Sequence, residues 1–261
     1  MTAAGVPLAR IAAHLDALLD TARTPDYKGA ANGVQVANRA PIVRVAAAVD
    51  CSQVTIGGAI GAGANLLVVH HGLFWGGVQP IVGAFYERLQ PLFAHDVAVY
   101  ASHIPLDVHP EVGNNVLLAR ALGLEPSSGF GRYETLLIGV AGTCDLPTAA
   151  LVDRARVFAV RHGGAVRVAG AIEGRQTQRW AICTGAGVSS ATLREAVAGQ
   201  VDTLIVGEGS HHTAVEAAEL GIAVIYAGHY ATETLGVAAL AARIESVFGL
   251  PWTFVPAPTG L

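Results

Sequence analysis

The sequence predicts an α/β protein with largely parallel or mixed sheets, organised in two halves of similar rhythm. Short apolar runs alternate with segments of helical spacing, which is the pattern of βαβ units. Between Glu125 and Arg132 the composition shifts to Pro, Ser and Gly, and this shift predicts a domain boundary. We therefore expect an N-terminal lobe over residues 1–126 and a C-terminal lobe over 127–261, whose last helix and strand are able to pack back on the first lobe.

In the N-terminal half, apolar residues at helical spacing predict a first helix over residues 7–20. The Gly-, Asn- and Asp-rich stretch TPDYKGAANGVQVAN should form a loop, and Ser52 fits the N-cap of a small-residue helix. Pro91 should end or kink the helix that contains it. The other elements expected here are strands at 43–49, 66–69 and 97–101 and helices at 81–93 and 115–122.

In the C-terminal half, the same alternation of short apolar runs and helical segments continues to the end. The segment AIEGRQTQ should be a turn or a hairpin loop. The expected strands are 135–140, 166–169, 180–184, 203–206, 222–227 and 252–255, and the expected helices are 148–160, 189–198, 212–220 and 232–248.

Composition excludes several classes of protein. Of the 261 residues, 52% are hydrophobic and 14% are charged, and the net charge is -4 without a basic run, so nucleic-acid binding is not expected. The three cysteines form no CxxC pair, which indicates neither a disulfide framework nor a zinc knuckle and favours a reducing cytoplasm. No signal peptide and no membrane span are expected from the apolar runs.

Histidines and carboxylates follow three of the predicted strands. The stretch LLVVHHGLFW (66–75) places His70 and His71 at a strand end, SHIPLDVHP (102–110) follows another strand, and GHYATE (228–233) joins a strand to a helix. Each feature also has an ordinary structural explanation: strand-end histidines bonded to backbone, a turn residue at Asp107, or a helix cap at Glu233.

Taken together, these residues indicate a metal site. Parallel strands bring their carboxyl ends to one edge of a sheet, where α/β proteins bind ligands. Three imidazoles and two carboxylates exceed the needs of one zinc ion and suit two divalent ions bridged by a carboxylate. The candidate metal ligands are His70, His71, Asp107, His229 and Glu233.

Neighbouring residues are candidates for supporting roles. His103 lies four residues before Asp107 and can serve as a partner of a ligand or as a proton carrier. Glu208, after another strand, can orient water or a ligand histidine, and we count both residues as candidate catalytic groups. His109 has the same alternatives as His103, whereas His211 and His212 fit helix capping or a cleft lining. The glycines of Gly185–Gly187 fit a tight turn better than a dinucleotide-binding loop, because Ser190 replaces the third glycine.

In this order, the motifs NGVQV, VVHHGLFW, SHIPLDVHPEVGNN and GHYATE resemble those of the NIF-three-like dinuclear metal proteins, also called GTP cyclohydrolase 1 type 2-like. The resemblance implies two similar α/β lobes with a two-metal centre in the cleft between them, and a ring-shaped homohexamer. By matching motif it implies the same five ligands, with Asp107 and Glu233 as bridging candidates. The loop AANGVQV lacks the acidic residue usual in this family.

Two functions from different classes follow. The first is a metal-dependent hydrolase of a small, nucleotide-like substrate, with a metal-lowered pKa of water as its chemical basis. The second is a metal-binding protein without turnover, active in metal delivery, storage or scaffolding. Histidine and carboxylate ligands admit Zn, Mn, Fe, Co or Ni as the two divalent ions per chain. The expected partners are further copies of the chain and an unknown small molecule.

Overall fold

The computed structural model describes residues 5–261, which divide into two compact units. Unit 1 comprises residues up to Leu106 together with Gly236–Ala257, and unit 2 comprises Asp107–Leu235 together with Pro258–Leu261. This division falls earlier than the expected boundary near residue 126. The reason is that the helix at Asn114–Ala121 packs on the sheet of unit 2 and contributes to its core.

The elements alternate along the chain as α/β patterning predicts. The strands are β1 (Gly33–Val36), β2 (Val45–Asp50), β3 (Leu66–His71), β4 (Ala98–Ala101), β5 (Ser128–Tyr133), β6 (Leu136–Pro147), β7 (Arg167–Ala169), β8 (Gln176–Cys183), β9 (Thr203–Val206), β10 (Ala223–Tyr226) and β11 (Trp252–Phe254). The helices are α1 (Leu8–Leu19), α2 (Gln53–Gly61), α3 (Gly83–Ala94), α4 (Ile104–Asp107), α5 (Asn114–Ala121), α6 (Thr148–Arg161), α7 (Ser190–Ala198), α8 (His211–Glu219), α9 (His229–Thr232) and α10 (Thr234–Phe248).

Unit 1 contains a five-stranded mixed sheet in the order β1-β4-β3-β2-β11. All neighbouring pairs are parallel except β1 and β4. The last strand, β11, pairs with β2, so the C-terminal segment belongs to this sheet. Because β2, β3 and β4 are parallel, their carboxyl ends share one edge, where Asp50 lies opposite His71.

Three local features of unit 1 differ from the sequence-based expectation. Strand β1 lies inside the stretch expected to be a loop, where glycines and asparagine hide its short apolar pattern. Helix α3 continues past Pro91 to Ala94, because a proline in the last turn removes only one backbone hydrogen bond. The short helix α4 occupies part of the SHIPLD loop. The N-cap at Ser52 is confirmed, since its side chain accepts from the Thr55 N–H in a capping box.

Unit 2 contains a six-stranded mixed sheet in the order β5-β6-β8-β9-β10-β7. The central strands β8, β9 and β10 are parallel, and the flanking pairs are antiparallel. The Pro-, Ser- and Gly-rich stretch that was expected to separate domains contains β5, whose glycines weaken its strand pattern. Likewise, part of AIEGRQTQ lies in β8 and not in a turn.

Each unit has its own hydrophobic core. In unit 1, buried residues of β2, β3 and β4 pack with those of α2 and α3. In unit 2, one cluster forms around Trp180 and α6, and a second around α7, α8 and the other face of the sheet. Within residues 5–261, no helix has the length and apolar character needed to cross a membrane.

Candidate functional site

His70 and His71 lie at the carboxyl end of β3, and the strand extends through both residues. Nδ1 of His70 is 2.9 Å from the carbonyl oxygen of Ser102, and Nδ1 of His71 is 2.8 Å from Oδ1 of Asp50. The ring centroids are 4.7 Å apart, although neighbouring strand residues point to opposite faces. The end of the strand therefore permits both imidazoles to reach one region.

These contacts define the tautomers of the two rings. A carbonyl or carboxylate oxygen only accepts hydrogen bonds, so Nδ1 of each ring is assigned as the donor. In a neutral imidazole the lone pair is then on Nε2, which becomes the ligand atom. A ring that donates from its other nitrogen to an oxygen is the usual arrangement of a metal-ligating histidine.

His103 joins these two residues. Its ring centroid is 5.0 Å from that of His70 and 5.7 Å from that of His71. One ring nitrogen from each of the three lies within 4.8 Å of the others, and we call this set the unit 1 histidine group. Nδ1 of His103 is 2.8 Å from Oδ1 of Asp26.

In unit 2, His229 begins the short helix α9 directly after β10. Its Nδ1 is 2.8 Å from Oε1 of Glu208, and its Nε2 is 3.1 Å from Oε2 of Glu233. Glu208 therefore contacts the ring from behind, while Glu233 lies on the Nε2 side. The contact with Glu208 fits orientation of a ligand histidine, and proton transfer by Glu208 stays a prediction.

The two carboxylates change the acidity of His229. Burial lowers its pKa, but the hydrogen bonds and charges of Glu233 and Glu208 outweigh burial and raise the pKa to about 9. In the metal-free protein, the ring is thus protonated at neutral pH and bridges two anions. A metal ion bound at Nε2 would replace that proton.

Asp107 lies at the end of α4 and is also in unit 2. Its Oδ1 accepts a hydrogen bond of 2.9 Å from the side-chain amide of Asn114. Burial first, and then the negative charges of Asp107, Glu195 and Glu233, raise the pKa of the Cys183 thiol to about 12. Both carboxylates thus act on the pKa of this thiol, which is at the end of β8. His229, Glu233, Glu208 and Asp107 are called the unit 2 carboxylate group below.

Gly185 closes this region at the turn after β8. Its φ is +62°, and a Cβ added there would collide with Oε1 of Glu233 and lie 3.2 Å from Nε2 of His229. Its N–H donates to the hydroxyl of Thr232, with a distance of 3.1 Å. The glycines of Gly185–Gly187 thus form a tight turn that leaves room for the ligand side chains. The following helix, α7, has Ser189 as its own N-cap.

The remaining candidates lie outside these contacts. Nδ1 of His109 accepts hydrogen bonds from the backbone N–H groups of Glu111 and Val112, at 3.1 and 3.2 Å, which stabilises a turn. His211 and His212 are exposed in the first turn of α8. His211 and Glu208 line the same cavity of about 410 Å³.

Two carboxylates with clear roles were missing from the sequence-based set. Asp50 holds His71 and Asp26 holds His103. The position of Asp50 at a strand end, in the same pattern as His71, was a usable signal. Asp26 had none, because it lies in an irregular loop 77 residues from its partner.

The donor set fits divalent metal ions. Imidazole nitrogens and carboxylate oxygens, without thiolates, suit zinc and the first-row transition metals. The space that Gly185 leaves beside Glu233 and His229 is consistent with this chemistry.

Fold and site together define an α/β protein of two mixed-sheet units with histidine and glutamate clusters that are able to hold metal ions. The family model Duf34/NIF3 (NGG1p interacting factor 3) matches residues 6–259, and the chain belongs to this family. The resemblance inferred from the four motifs is confirmed.

Two relatives carry the name GTP cyclohydrolase 1 type 2 homolog. The Deinococcus radiodurans protein is 44% identical over 237 residues, which cover 88% of this chain and 86% of that protein. The Pyrococcus abyssi protein is 40% identical over 251 residues, which cover 96% and 98%.

Solved structures agree on the fold. A structure described as protein ybgI, of unknown function, has a TM-score of 0.87 at 31% identity and covers 98% of this chain and 100% of its own. Reduced HcgD from Methanocaldococcus jannaschii has a TM-score of 0.82 at 22% identity, with coverage of 97% and 99%, and shows the fold alone.

Proposed function

We propose that this protein binds two divalent metal ions per chain and uses them to hydrolyse a small, nucleotide-like substrate. The proposed ligands are His70, His71, Asp107, His229 and Glu233, which the two units supply as separate sets. Asp107 and Glu233 are the proposed bridging carboxylates, because a two-metal centre commonly shares a carboxylate.

The proposal rests on one observation: each of the three proposed ligand imidazoles has an oxygen atom within hydrogen-bond distance of its Nδ1. Nδ1 of His70, His71 and His229 contacts Ser102 O, Asp50 and Glu208, respectively, at 2.8 to 2.9 Å. Partners of this kind fix ring orientation and increase ligand basicity.

The substrate class is supported by a cavity and by the relatives. In unit 2, a cavity of about 360 Å³ is lined by Asp107, Arg120 and several apolar side chains, a size and character suited to a small ligand. The guanidinium of Arg120 suits a phosphate or carboxylate group. The relatives' name, GTP cyclohydrolase 1 type 2 homolog, favours a nucleotide-like molecule.

In the proposed mechanism, the chain orients its ligands and moves protons. When bound, the ions would lower the pKa of a water molecule and stabilise negative charge on a substrate oxygen. Glu208 holds His229 through Nδ1, and Asn114 holds Asp107 through Oδ1. His103 and Glu208 are the candidate groups for accepting and returning the proton.

We also propose that the protein self-associates, with a homohexamer as the expected state, and acts in the cytoplasm. Large apolar side chains are exposed in one stretch of unit 1, which favours contact with a second copy. They are Val78, Ile81, Val82, Tyr86 and Phe93. The free cysteines Cys51, Cys144 and Cys183 fit a reducing compartment. A species of about one chain's mass, 26.8 kDa, in sedimentation would contradict self-association.

The experiment is a substrate screen on protein reconstituted with Zn, Mn, Fe, Co or Ni. GTP and a panel of phosphoesters are tested with wild type, Glu233→Gln and the control Glu219→Gln, which changes an exposed glutamate of α8. Turnover should fall more than about 100-fold in Glu233→Gln, beyond the loss expected from a group that only orients a ligand. Glu219→Gln should keep full turnover.

The absence of turnover with every metal and substrate would contradict the hydrolase. If such protein also exchanged its metal rapidly and reversibly, the result would favour the non-catalytic metal-binding function. Turnover that is unchanged in folded Glu233→Gln would exclude this site as the seat of the reaction.

A further inference from the structure

The carboxylate of Asp26 is buried in the loop that precedes β1, where its side chain is 6% exposed. Its oxygens accept four hydrogen bonds, from the backbone N–H groups of Tyr27 (2.7 Å) and Ile104 (2.9 Å), the side-chain amide of Asn32 (2.8 Å) and Nδ1 of His103 (2.8 Å). A carboxylate surrounded by donors on both oxygens is held in one orientation.

This environment keeps Asp26 ionised. Burial raises its pKa, but the hydrogen bond and charge of His103, with the bonds from Asn32 and Tyr27, outweigh burial and bring the pKa below its usual value. An ionised carboxylate only accepts hydrogen bonds, so Nδ1 of His103 carries the proton. When the ring is neutral, its lone pair is therefore on Nε2.

The position of His103 is fixed from two directions. Its backbone N–H donates to Oδ1 of Asn32 at 2.8 Å, and Asn32 also donates to Asp26, so that backbone and ring are tied to one loop. The indole of Trp75 meets the ring edge to face, with 4.9 Å between the centroids. The side chain remains 14% exposed, which leaves it accessible to a small molecule.

The ring faces the other members of the unit 1 histidine group. Asp26 lies behind His103 in the same way that Asp50 lies behind His71. An imidazole held by a carboxylate at Nδ1, with a lone pair on Nε2, is the arrangement of a general base. A histidine with only a packing function does not need an ionised, buried carboxylate as its partner.

We infer that Asp26 is a positioning residue that holds His103 as a proton acceptor beside His70 and His71. In the reaction step, an O–H bond of the attacking water breaks and its proton passes to Nε2 of His103. The water oxygen bonds to the electrophilic atom of the substrate, and the bond from that atom to the leaving group breaks. The imidazolium that forms is stabilised by Asp26 and returns the proton to the leaving group. This role rests on the proposed function, since the water attacks a substrate held at the metal ligands.

The test uses diethyl pyrocarbonate, which acylates an imidazole nitrogen that carries a lone pair, with zinc-loaded protein and peptide mapping. In wild type, His103 should react while zinc protects His70 and His71. Asp26→Asn places an amide beside Nδ1 and favours the other tautomer, so modification of His103 should slow at least about tenfold. Asp26→Glu keeps a carboxylate and should react faster than Asp26→Asn.

Asp50→Asn is the matched control, because it makes the same change behind a proposed metal ligand. Zinc affinity, measured by titration, should fall in Asp50→Asn and stay within about threefold of wild type in Asp26→Asn, whose partner is not a ligand. With any substrate found in the screen, Asp26→Asn should lower kcat and leave KM nearly unchanged.

Protection of His103 by zinc, or loss of zinc affinity in Asp26→Asn to the extent seen in Asp50→Asn, would make His103 a metal ligand and overturn the inference. Equal modification rates in wild type and Asp26→Asn would overturn it as well. If zinc fails to protect His70 and His71, the proposed function fails, whereas the rate difference at His103 still decides whether Asp26 controls this ring.

Discussion

The unit 1 histidine group and the unit 2 carboxylate group orient their imidazole rings with different sets of oxygen atoms. In unit 1, an oxygen atom lies on the Nδ1 side of each ring: the Ser102 carbonyl behind His70, Asp50 behind His71 and Asp26 behind His103. In unit 2, His229 has Glu208 behind it and Glu233 in front of it. The unit 1 histidine group thus consists of imidazole rings alone, whereas the unit 2 carboxylate group adds the negative charge of carboxylates to an imidazole.

The two groups should also differ in how they respond to pH in the metal-free protein. In unit 2, the protonated ring of His229 lies between Glu208 and Glu233, and its positive charge occupies the place of a cation. The rings of unit 1 take their orientation from hydrogen bonds that a metal ion would leave intact. Metal binding should therefore be coupled to pH mainly through unit 2.

The largest expected effect comes from removing ligands in pairs. His70→Ala with His71→Ala, and separately His229→Ala with Glu233→Gln, should each lower metal affinity more than about 100-fold, because a ligand is worth more than the group that orients it. Isothermal titration with zinc measures the change. His211→Ala with His212→Ala, an exposed pair on α8, is the control and should bind like wild type. Unchanged affinity in either ligand pair would remove that unit from the site.

A smaller effect is expected from the carboxylates behind the rings. Asp50→Asn and Glu208→Gln should each lower metal affinity by about 10- to 100-fold, since they orient ligands without binding the ion. The same titration compares them directly. A change in metal affinity in only one of the two variants would contradict the prediction that Asp50 and Glu208 have the same role toward His71 and His229.

Gly185→Ala tests the close approach in unit 2. Its φ of +62° makes alanine unfavourable by about 1–2 kcal/mol. Gly174→Ala has a similar φ, +67°, with open space around the added Cβ, and should show only this loss in denaturant unfolding. Gly185→Ala should also weaken metal binding several-fold because its Cβ displaces Glu233. Equal metal affinity in the two variants would contradict the claim that Gly185 leaves space for Glu233 and His229 at a metal site.

The smallest expected effect is the pH dependence of the metal-free protein. The pKa of His229 is raised from 6.5 to about 9, so its contribution to stability is fully present below pH 6.5 and is lost as the pH rises through 9. Denaturant unfolding in the presence of a chelator should show this decline in wild type and less of it in His229→Gln. Parallel pH profiles for the two proteins would show that the ring carries no such proton.

The sequence predicted those parts of the molecule that repeat a local pattern. Strand ends such as Val69–His71 combine an apolar run with polar residues, and the cap at Ser52 is a short-range signal. Strand β5 was not predicted because glycines interrupt its strand pattern. The division between the units at Leu106 was not predicted either, because it depends on how α5 packs. Asp26 contacts His103 only in the folded protein, so the spacing of residues along the chain could not predict this hydrogen bond.

Elemental analysis of freshly purified and metal-reconstituted protein tests the central claim most directly. We predict about two divalent ions per chain, held by the proposed ligands His70, His71, Asp107, His229 and Glu233. Fewer than about one ion per chain after reconstitution would contradict a two-metal centre.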